Sequence, residues 1–183
     1  MMSGKLQFAW NFLCHPVRNA SLIPSSTFAS KAMLLGVDFS AVQTVVELGP
    51  GTGVFTEEIL RRCKPNTKVL LIELEQDYVT LLRKKFGTRV VVENASAHLL
   101  DAILAKNGMT KVDLIVSGLP FSLPHEVKEK LFASLRVHIA HGTHYRFFTY
   151  NPPLMKRVYA NLPIQKISFV ARNFPPLWVY GIN

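Results

Sequence analysis

The run Val45-Val46-Glu47-Leu48-Gly49-Pro50-Gly51-Thr52-Gly53 constrains this chain more than any other stretch. Apolar residues lead into three glycines at alternate positions, and Val54-Phe55-Thr56-Glu57-Glu58 then reads as the start of a helix. A buried strand, a tight turn and a helix in that order form the unit from which parallel sheets are built. The glycines admit positive φ and carry no side chain, so a ligand can approach the backbone closely.

The spacing narrows the ligand. A dinucleotide loop has the form Gly-x-Gly-x-x-Gly and cradles a pyrophosphate at a helix N-terminus. Here the form is Glu-x-Gly-x-Gly-x-Gly, with Glu47 ahead of Gly49, Gly51 and Gly53. A carboxylate at that point suits a ligand with a cationic amino-acid end, which describes S-adenosylmethionine. The alternative is a turn that serves packing alone. A second acid supports the ligand reading: Glu73 follows the apolar run Val69-Leu70-Leu71-Ile72, about 20 residues after the loop. An acid at the tip of the second strand of a doubly wound sheet binds ribose hydroxyls. Glu75 fits the plainer role of an acid at a helix start.

The rest of the chain alternates in the same way. Strands are expected at Thr44–Leu48, Lys68–Glu73, Arg89–Glu93 and Val112–Ser117, with helices at Val54–Arg62, Asp77–Phe86, Ala97–Lys106 and Pro124–Ala140. Three late strands, Tyr145–Tyr150, Gln165–Arg172 and Leu177–Gly181, follow with little helix between them. The expected fold is α/β and Rossmann-like, a seven-stranded and mostly parallel sheet with an antiparallel edge strand, preceded by an N-terminal amphipathic helix. Asn151–Pro163, with three prolines, reads as a linker.

A chain of 183 residues is expected to form one domain with a full core. Its longest apolar stretch is too short to cross a bilayer, and its start lacks a secretory pattern. Cys14 and Cys63 make neither a disulfide framework nor a metal pattern, which points to a reducing cytoplasm. The formal net charge of +9 calls for an anionic partner, either nucleic acid or an anionic membrane surface.

The first residues speak to that choice. Between Gly4 and Cys14, Gln7 and Asn11 make one narrow polar stripe that His15 continues. Leu6, Phe8, Ala9, Trp10, Phe12 and Leu13 occupy the rest, and Lys5, His15 and Arg18 flank it. Such a helix can lie in a membrane interface or cap the sheet. The expected division is a membrane-contact segment at 1–24 and a catalytic domain at 25–183.

The fourth strand runs into Ser117-Gly118-Leu119-Pro120-Phe121, where the ligand crevice of such a sheet lies. A carbonyl of this turn can accept a hydrogen bond from an amine, and Phe121 can supply a flat apolar face. An ordinary strand-to-helix turn is the other reading. Enzymes that methylate amino groups of nucleic-acid bases carry an asparagine at this turn. Gly118 stands there instead, which counts against an exocyclic base amine.

The order of Ser21-Leu22-Ile23-Pro24-Ser25-Ser26, the glycine loop, Ser117-Gly118-Leu119-Pro120, Phe148-Thr149-Tyr150 and the tail Arg172-Asn173-Phe174-Pro175-Pro176-Leu177-Trp178-Val179-Tyr180 resembles the bacterial phospholipid N-methyltransferases. The resemblance runs from about Phe12 to the end. Members of that family methylate phosphatidylethanolamine towards phosphatidylcholine, and the related ornithine-lipid N-methyltransferases look similar. The glycine loop is shared with rRNA adenine dimethyltransferases. Two places depart from the family pattern: Glu93-Asn94-Ala95 stands for the usual Gly-Asp-Ala, and Ala140-His141-Gly142-Thr143 for the usual Pro-Gly-Gly.

The resemblance implies roles. Gly49, Gly51 and Gly53 leave room for the methionine part of S-adenosylmethionine, with Glu47 near its amino end. Glu73 holds the ribose, and Asn94 and Ala95 bound the adenine. Ser25 and Ser26 close over the carboxylate, and Ser117 joins the cofactor-binding set. The candidate catalytic residues are Gly118, Tyr150 and His125, the last two as proton acceptors, with an orienting role open for Tyr150 and a purely helical one for His125. Arg146, Lys156 and Arg157 are candidate partners for a headgroup phosphate. No metal is expected. The implied partners are an anionic membrane surface and an aminolipid, and the implied location is the inner face of the cytoplasmic membrane. Two other readings compete: an rRNA-type adenine N-methyltransferase, and a non-catalytic membrane-binding protein.

Overall fold

Among the described residues seven strands pair into one sheet in the order β3-β2-β1-β4-β5-β7-β6. The structure, a computed structural model, describes residues 23–119, 123–173 and 175–183, with side chains from residue 27 onward. The strands are β1 Thr44–Leu48, β2 Lys68–Glu73, β3 Val91–Asn94, β4 Leu114–Ser117, β5 His144–Thr149, β6 Gln165–Val170 and β7 Leu177–Ile182. The helices are α1 Ile23–Met33, α2 Val54–Arg62, α3 Gln76–Phe86, α4 Leu100–Lys106, α5 His125–Ala140 and α6 Pro152–Val158.

β1 to β5 run parallel, and β7 alone is reversed, lying between β5 and β6. The expected antiparallel hairpin therefore stands at one edge. The central strands are apolar on both faces because helices cover both. Val45, Leu71, Leu114 and Val179 pack with Met33, Ile59 and Leu82 from the α1–α3 side. Val46, Leu70, Ile115 and Phe147 pack with Leu104, Leu135 and Met155 from the α4–α6 side. Each such side chain stabilises the fold by roughly 1.5–3 kcal/mol relative to leaving it exposed. From β1 the chain winds outward to β3, then returns to β4 on the other side of β1. That reversal opens a crevice at the carboxyl ends of β1 and β4.

Some expected boundaries move, each for a visible reason. Arg89 does not begin β3. Its guanidinium reaches back to the carbonyls of Thr67 and Lys64, both at 2.9 Å, and Gly87–Arg89 form a 3-10 turn. The helix expected over Ala97–Lys106 is a 3-10 turn, Ala97–Leu99, followed by α4. The expected linker holds a helix, α6. Asn151 caps it, its Oδ1 accepting from Leu154 N at 3.2 Å, and two prolines occupy the first positions, where they fit. The boundary expected at 24/25 falls inside α1, and the amphipathic segment before residue 23 lies outside the described residues.

Candidate active site

The glycine loop continues β1 without a break. Gly49 N donates to Ile72 O at 2.9 Å, and Gly53 N donates to Pro50 O at 2.9 Å, closing the turn. Gly53 precedes α2 at φ 80°, and a Cβ there would stand 2.6 Å from the Phe86 ring. Close packing against α3 thus explains this glycine. Gly51, at φ 55°, has nothing within 4 Å of its missing Cβ, so the loop presents bare backbone to open space. Lys85 steadies the loop through Thr52 O at 2.9 Å and pairs with Glu57 at the start of α2.

Glu47 is fully buried on the α2 side of β1. Its Oε2 accepts a 2.6 Å hydrogen bond from the Thr56 hydroxyl, and its Oε1 has no partner among the described residues. Burial pushes its carboxyl up to about 8, against the pull of the Thr56 hydrogen bond. An unpartnered buried oxygen of this kind is costly, and a ligand cation supplies what it lacks.

Glu73 ties the tip of β2 to the loop. Oε2 accepts from Gly51 N and Oε1 from Glu75 N, both at 3.0 Å. Each oxygen keeps capacity for a further donor such as a ribose hydroxyl. Asn94 caps the same tip. Its amide nitrogen donates to Glu73 O at 3.0 Å and Leu74 O at 2.8 Å, which spends both hydrogens and leaves Oδ1 to accept from an adenine amino group. Ala95 N donates to Glu73 O at 3.0 Å. Leu74, 64% exposed between these groups, offers an apolar face at the point where a flat base would lie.

On the other side of the crevice, Gly118 N donates to Leu48 O at 2.8 Å, and a Cβ on Gly118 would meet Gly49 O at 2.7 Å. The backbones of the two turns touch here, which explains the glycine where an asparagine was sought. Ser117 is buried, its Oγ 3.4 Å from Leu119 N. Phe121 lies outside the described residues, and Ser25 and Ser26 fall in the first turn of α1, with only their backbone described.

Tyr150 is half-buried just past β5, its ring edge-on to Phe148, which meets Phe55 of α2. Burial raises the Tyr150 phenol, and a hydrogen bond with the Asn173 side chain works against that shift. The hydroxyl stays protonated at neutral pH. That favours an orienting role over proton removal. His125 is exposed at the first residue of α5, and Lys156 and Arg157 are exposed on α6.

Arg146 corrects an expectation. It is fully buried and donates to Tyr145 O, Ile182 O and Asn183 Oδ1 within the sheet, so it does not reach a headgroup phosphate.

Beside Ser117 the turn opens into a small recess of about 20 Å³. Leu119, Leu123, Leu131, Phe132 and Val158 form apolar walls, joined by Tyr145, Tyr159 and Lys128. Tyr159 stacks on Phe147 with ring centroids 4.2 Å apart, and its hydroxyl lies 2.8 Å from that of Tyr145.

Thr56, Leu74 and the recess residues other than Ser117 and Leu119 were not singled out from sequence. An apolar residue directly after the β2 acid was a usable signal for Leu74. The recess draws on β4, β5, α5 and α6, and no local pattern joins these.

Residues 45–142 match the family model described as a methyltransferase domain. An ornithine lipid N-methyltransferase of Singulisphaera acidiphila is 32% identical over 178 residues, covering 94% of this chain and 92% of that protein. A probable ribosomal RNA small subunit methyltransferase A of Methanosarcina acetivorans is 33% identical over 99 residues, 54% of this chain and 34% of its own. Among solved structures, the DhpI-SAM-HEP complex superposes with a TM-score of 0.63 at 13% identity, covering 99% of this chain and 98% of that one. A SAM-dependent methyltransferase from Leishmania major gives 0.65 at 13% identity, covering 90% and 75%. These structural likenesses carry the fold. With the loop, the two acids and the matched family domain, the chain belongs to the S-adenosylmethionine-dependent methyltransferases, in the family that includes this lipid N-methyltransferase.

Proposed function

We propose that the chain transfers a methyl group from S-adenosylmethionine to the amine of an aminolipid headgroup at an anionic membrane surface. The observation that carries this reading is the Gly49–Gly118 contact. It leaves no room for the side-chain acceptor that adenine methylation uses, while a Gly118 backbone carbonyl remains able to orient an amine. The end-to-end similarity to an ornithine lipid enzyme supports the ornithine-type headgroup first. Phosphatidylethanolamine, which the sequence suggested, is the second headgroup. The net charge of +9 suits an anionic surface.

The cofactor supplies a methyl group already activated by its sulfonium. The chain supplies alignment and dryness. Gly51 would let the methionine part lie against the loop, Glu47 and its free oxygen would meet the ammonium, and Glu73 the ribose. Asn94, Ala95 and Leu74 would bound the adenine. Ser25, Ser26 and Ser117 complete the proposed cofactor set. An alkylammonium must lose a proton before it attacks, at a cost of about 4–5 kcal/mol at pH 7 for a lysine-like amine. Apolar surroundings lower that cost by disfavouring the charged form. Tyr150 orients the amine, and His125, exposed at the start of α5, passes the proton to solvent.

The test is methyl transfer from radiolabelled S-adenosylmethionine to extracted lipids, resolved by headgroup, with and without anionic vesicles. Label in methylated ornithine lipid, increased by anionic vesicles, is the expected result. Label in methylated phosphatidylethanolamine alone selects the second headgroup. No lipid label from protein that binds the cofactor overturns the reading.

A further inference from the structure

Among the charged residues of α5, Lys128 stands apart. Glu126 and Lys130 pair with each other at 2.7 Å on the exposed side of the helix. Lys128 is half-buried, faces the recess beside Ser117, and forms no ion pair or hydrogen bond among the described residues. It is the one charged side chain in the described lining of that recess.

The floor of the recess is polar in a particular way. The Tyr145 hydroxyl lies 2.8 Å from that of Tyr159. Two hydroxyls carry two hydrogens, and the hydrogen bond between them uses one. The pair keeps one hydrogen for a further acceptor, whichever of the two donates. Tyr145 and Tyr159 are buried and their phenols raised by burial, so both stay neutral donors. An ammonium at the rim, a spare hydroxyl hydrogen at the floor and apolar walls between them fit an anionic group joined to a short methylene chain.

We propose that this recess binds the acidic group of the amine substrate, a carboxylate or a phosphate, with Lys128 as the residue that selects for it. The inference rests on the function proposed above and adds the reason why a zwitterionic headgroup is chosen over a plain amine. With the acid held beside Leu119 and Leu123, the amine at the other end of the methylene chain lies towards Gly118.

The experiment uses the full chain bound to S-adenosylhomocysteine, titrated with Nα-acetylornithine, O-phosphoethanolamine or n-butylamine and followed by the methyl resonances of Leu123, Leu131 and Val158. Saturable shifts are expected with the two zwitterions, and the tighter of them identifies carboxylate or phosphate as the natural acid. Lys128→Met is expected to weaken both by roughly tenfold to a hundredfold, with Lys128→Arg within a few-fold of wild type and cofactor affinity unchanged. Butylamine binding is expected to be insensitive to the substitution. Silent recess methyls in wild type, or equal zwitterion binding by Lys128→Met, overturn the proposal. Wild type that binds zwitterions in the recess but labels no lipid sinks the proposed function and leaves the recess assignment standing. Wild type that labels lipid while the recess stays silent does the reverse.

Discussion

Gly118 and Gly49 pack backbone against backbone: a Cβ on Gly118 would stand 2.7 Å from the Gly49 carbonyl oxygen, closer than real Cβ contacts come. The turn after β4 and the glycine loop after β1 are thereby set against one another. Gly118→Asn forces the loop to shift and creates no base-methylating enzyme. Cofactor affinity by calorimetry is expected to fall by at least about tenfold, with transfer to adenine-containing RNA still absent. Undiminished affinity in a folded variant would show that the contact does not matter.

Glu47 makes the stability of the cofactor-free protein depend on pH. Its carboxyl moves from 4.5 to about 8 on folding, chiefly by burial. Between those values the folded chain holds a proton that the unfolded chain has lost, so stability falls as pH rises across the window and levels off above it. The full effect is on the order of several kcal/mol. Glu47→Gln, which keeps an acceptor for Thr56, is expected to flatten the fall in melting temperature towards pH 8. Parallel slopes for the two proteins would contradict the assignment.

The same carboxyl predicts a proton released when the cofactor binds. An ammonium beside Glu47 favours the carboxylate, so affinity rises with pH up to about 8. Calorimetry at neutral pH in buffers of different ionisation enthalpy should show up to one proton leaving. The signal should vanish in Glu47→Gln, together with roughly tenfold of the affinity. Buffer-independent heats in wild type would rule this out.

Glu73 accepts from two backbone N–H groups, Gly51 and Glu75. An amide oxygen can accept from one of them, and the amide nitrogen then faces the other as donor against donor. Glu73→Gln is expected to lose more than about tenfold in cofactor affinity and roughly 1–3 kcal/mol in stability. Denaturant titration and calorimetry measure the two losses. A variant that loses affinity alone would show that the carboxylate serves the ligand and not the loop.

Asn151→Ala removes the cap of α6 and should cost about 1 kcal/mol. Because Val158 and Tyr159 wall the recess, headgroup binding should weaken while cofactor binding holds. Equal loss of both would show that α6 does not act on the recess alone.

The glycine loop and its two flanking acids were legible because the parts are local: an acid, three glycines and a second acid at fixed offsets along two adjoining strands. The central strands were legible because covered parallel strands are apolar throughout. What escaped was set by contacts distant in sequence. Arg146 looks like any exposed cation on paper and is in fact folded into the sheet by Gly181, whose missing Cβ would stand 2.5 Å from its Nη1. The prolines at 152 and 153 read as linker, although after Asn151 they start a helix. The recess joins residues from 117 to 159, and only the folded chain brings Lys128 beside Tyr159.

The reversed position of β7 also dictates an order of assembly. β6 pairs with β7 alone, and β7 pairs with β5, so residues 165–170 leave the ribosome before the strand that can hold them exists. Until residues 177–182 are made, the growing sheet ends at β5 and β6 has no place in it. A cut after Asn173 therefore removes one strand and strands another, and it strips Tyr180 from the ring of Phe147 that backs the recess. Fusions and truncations at this end act on the β5–β7 half of the sheet and the recess beside it, while the β1–β3 half that carries Glu47 and Glu73 is complete well before.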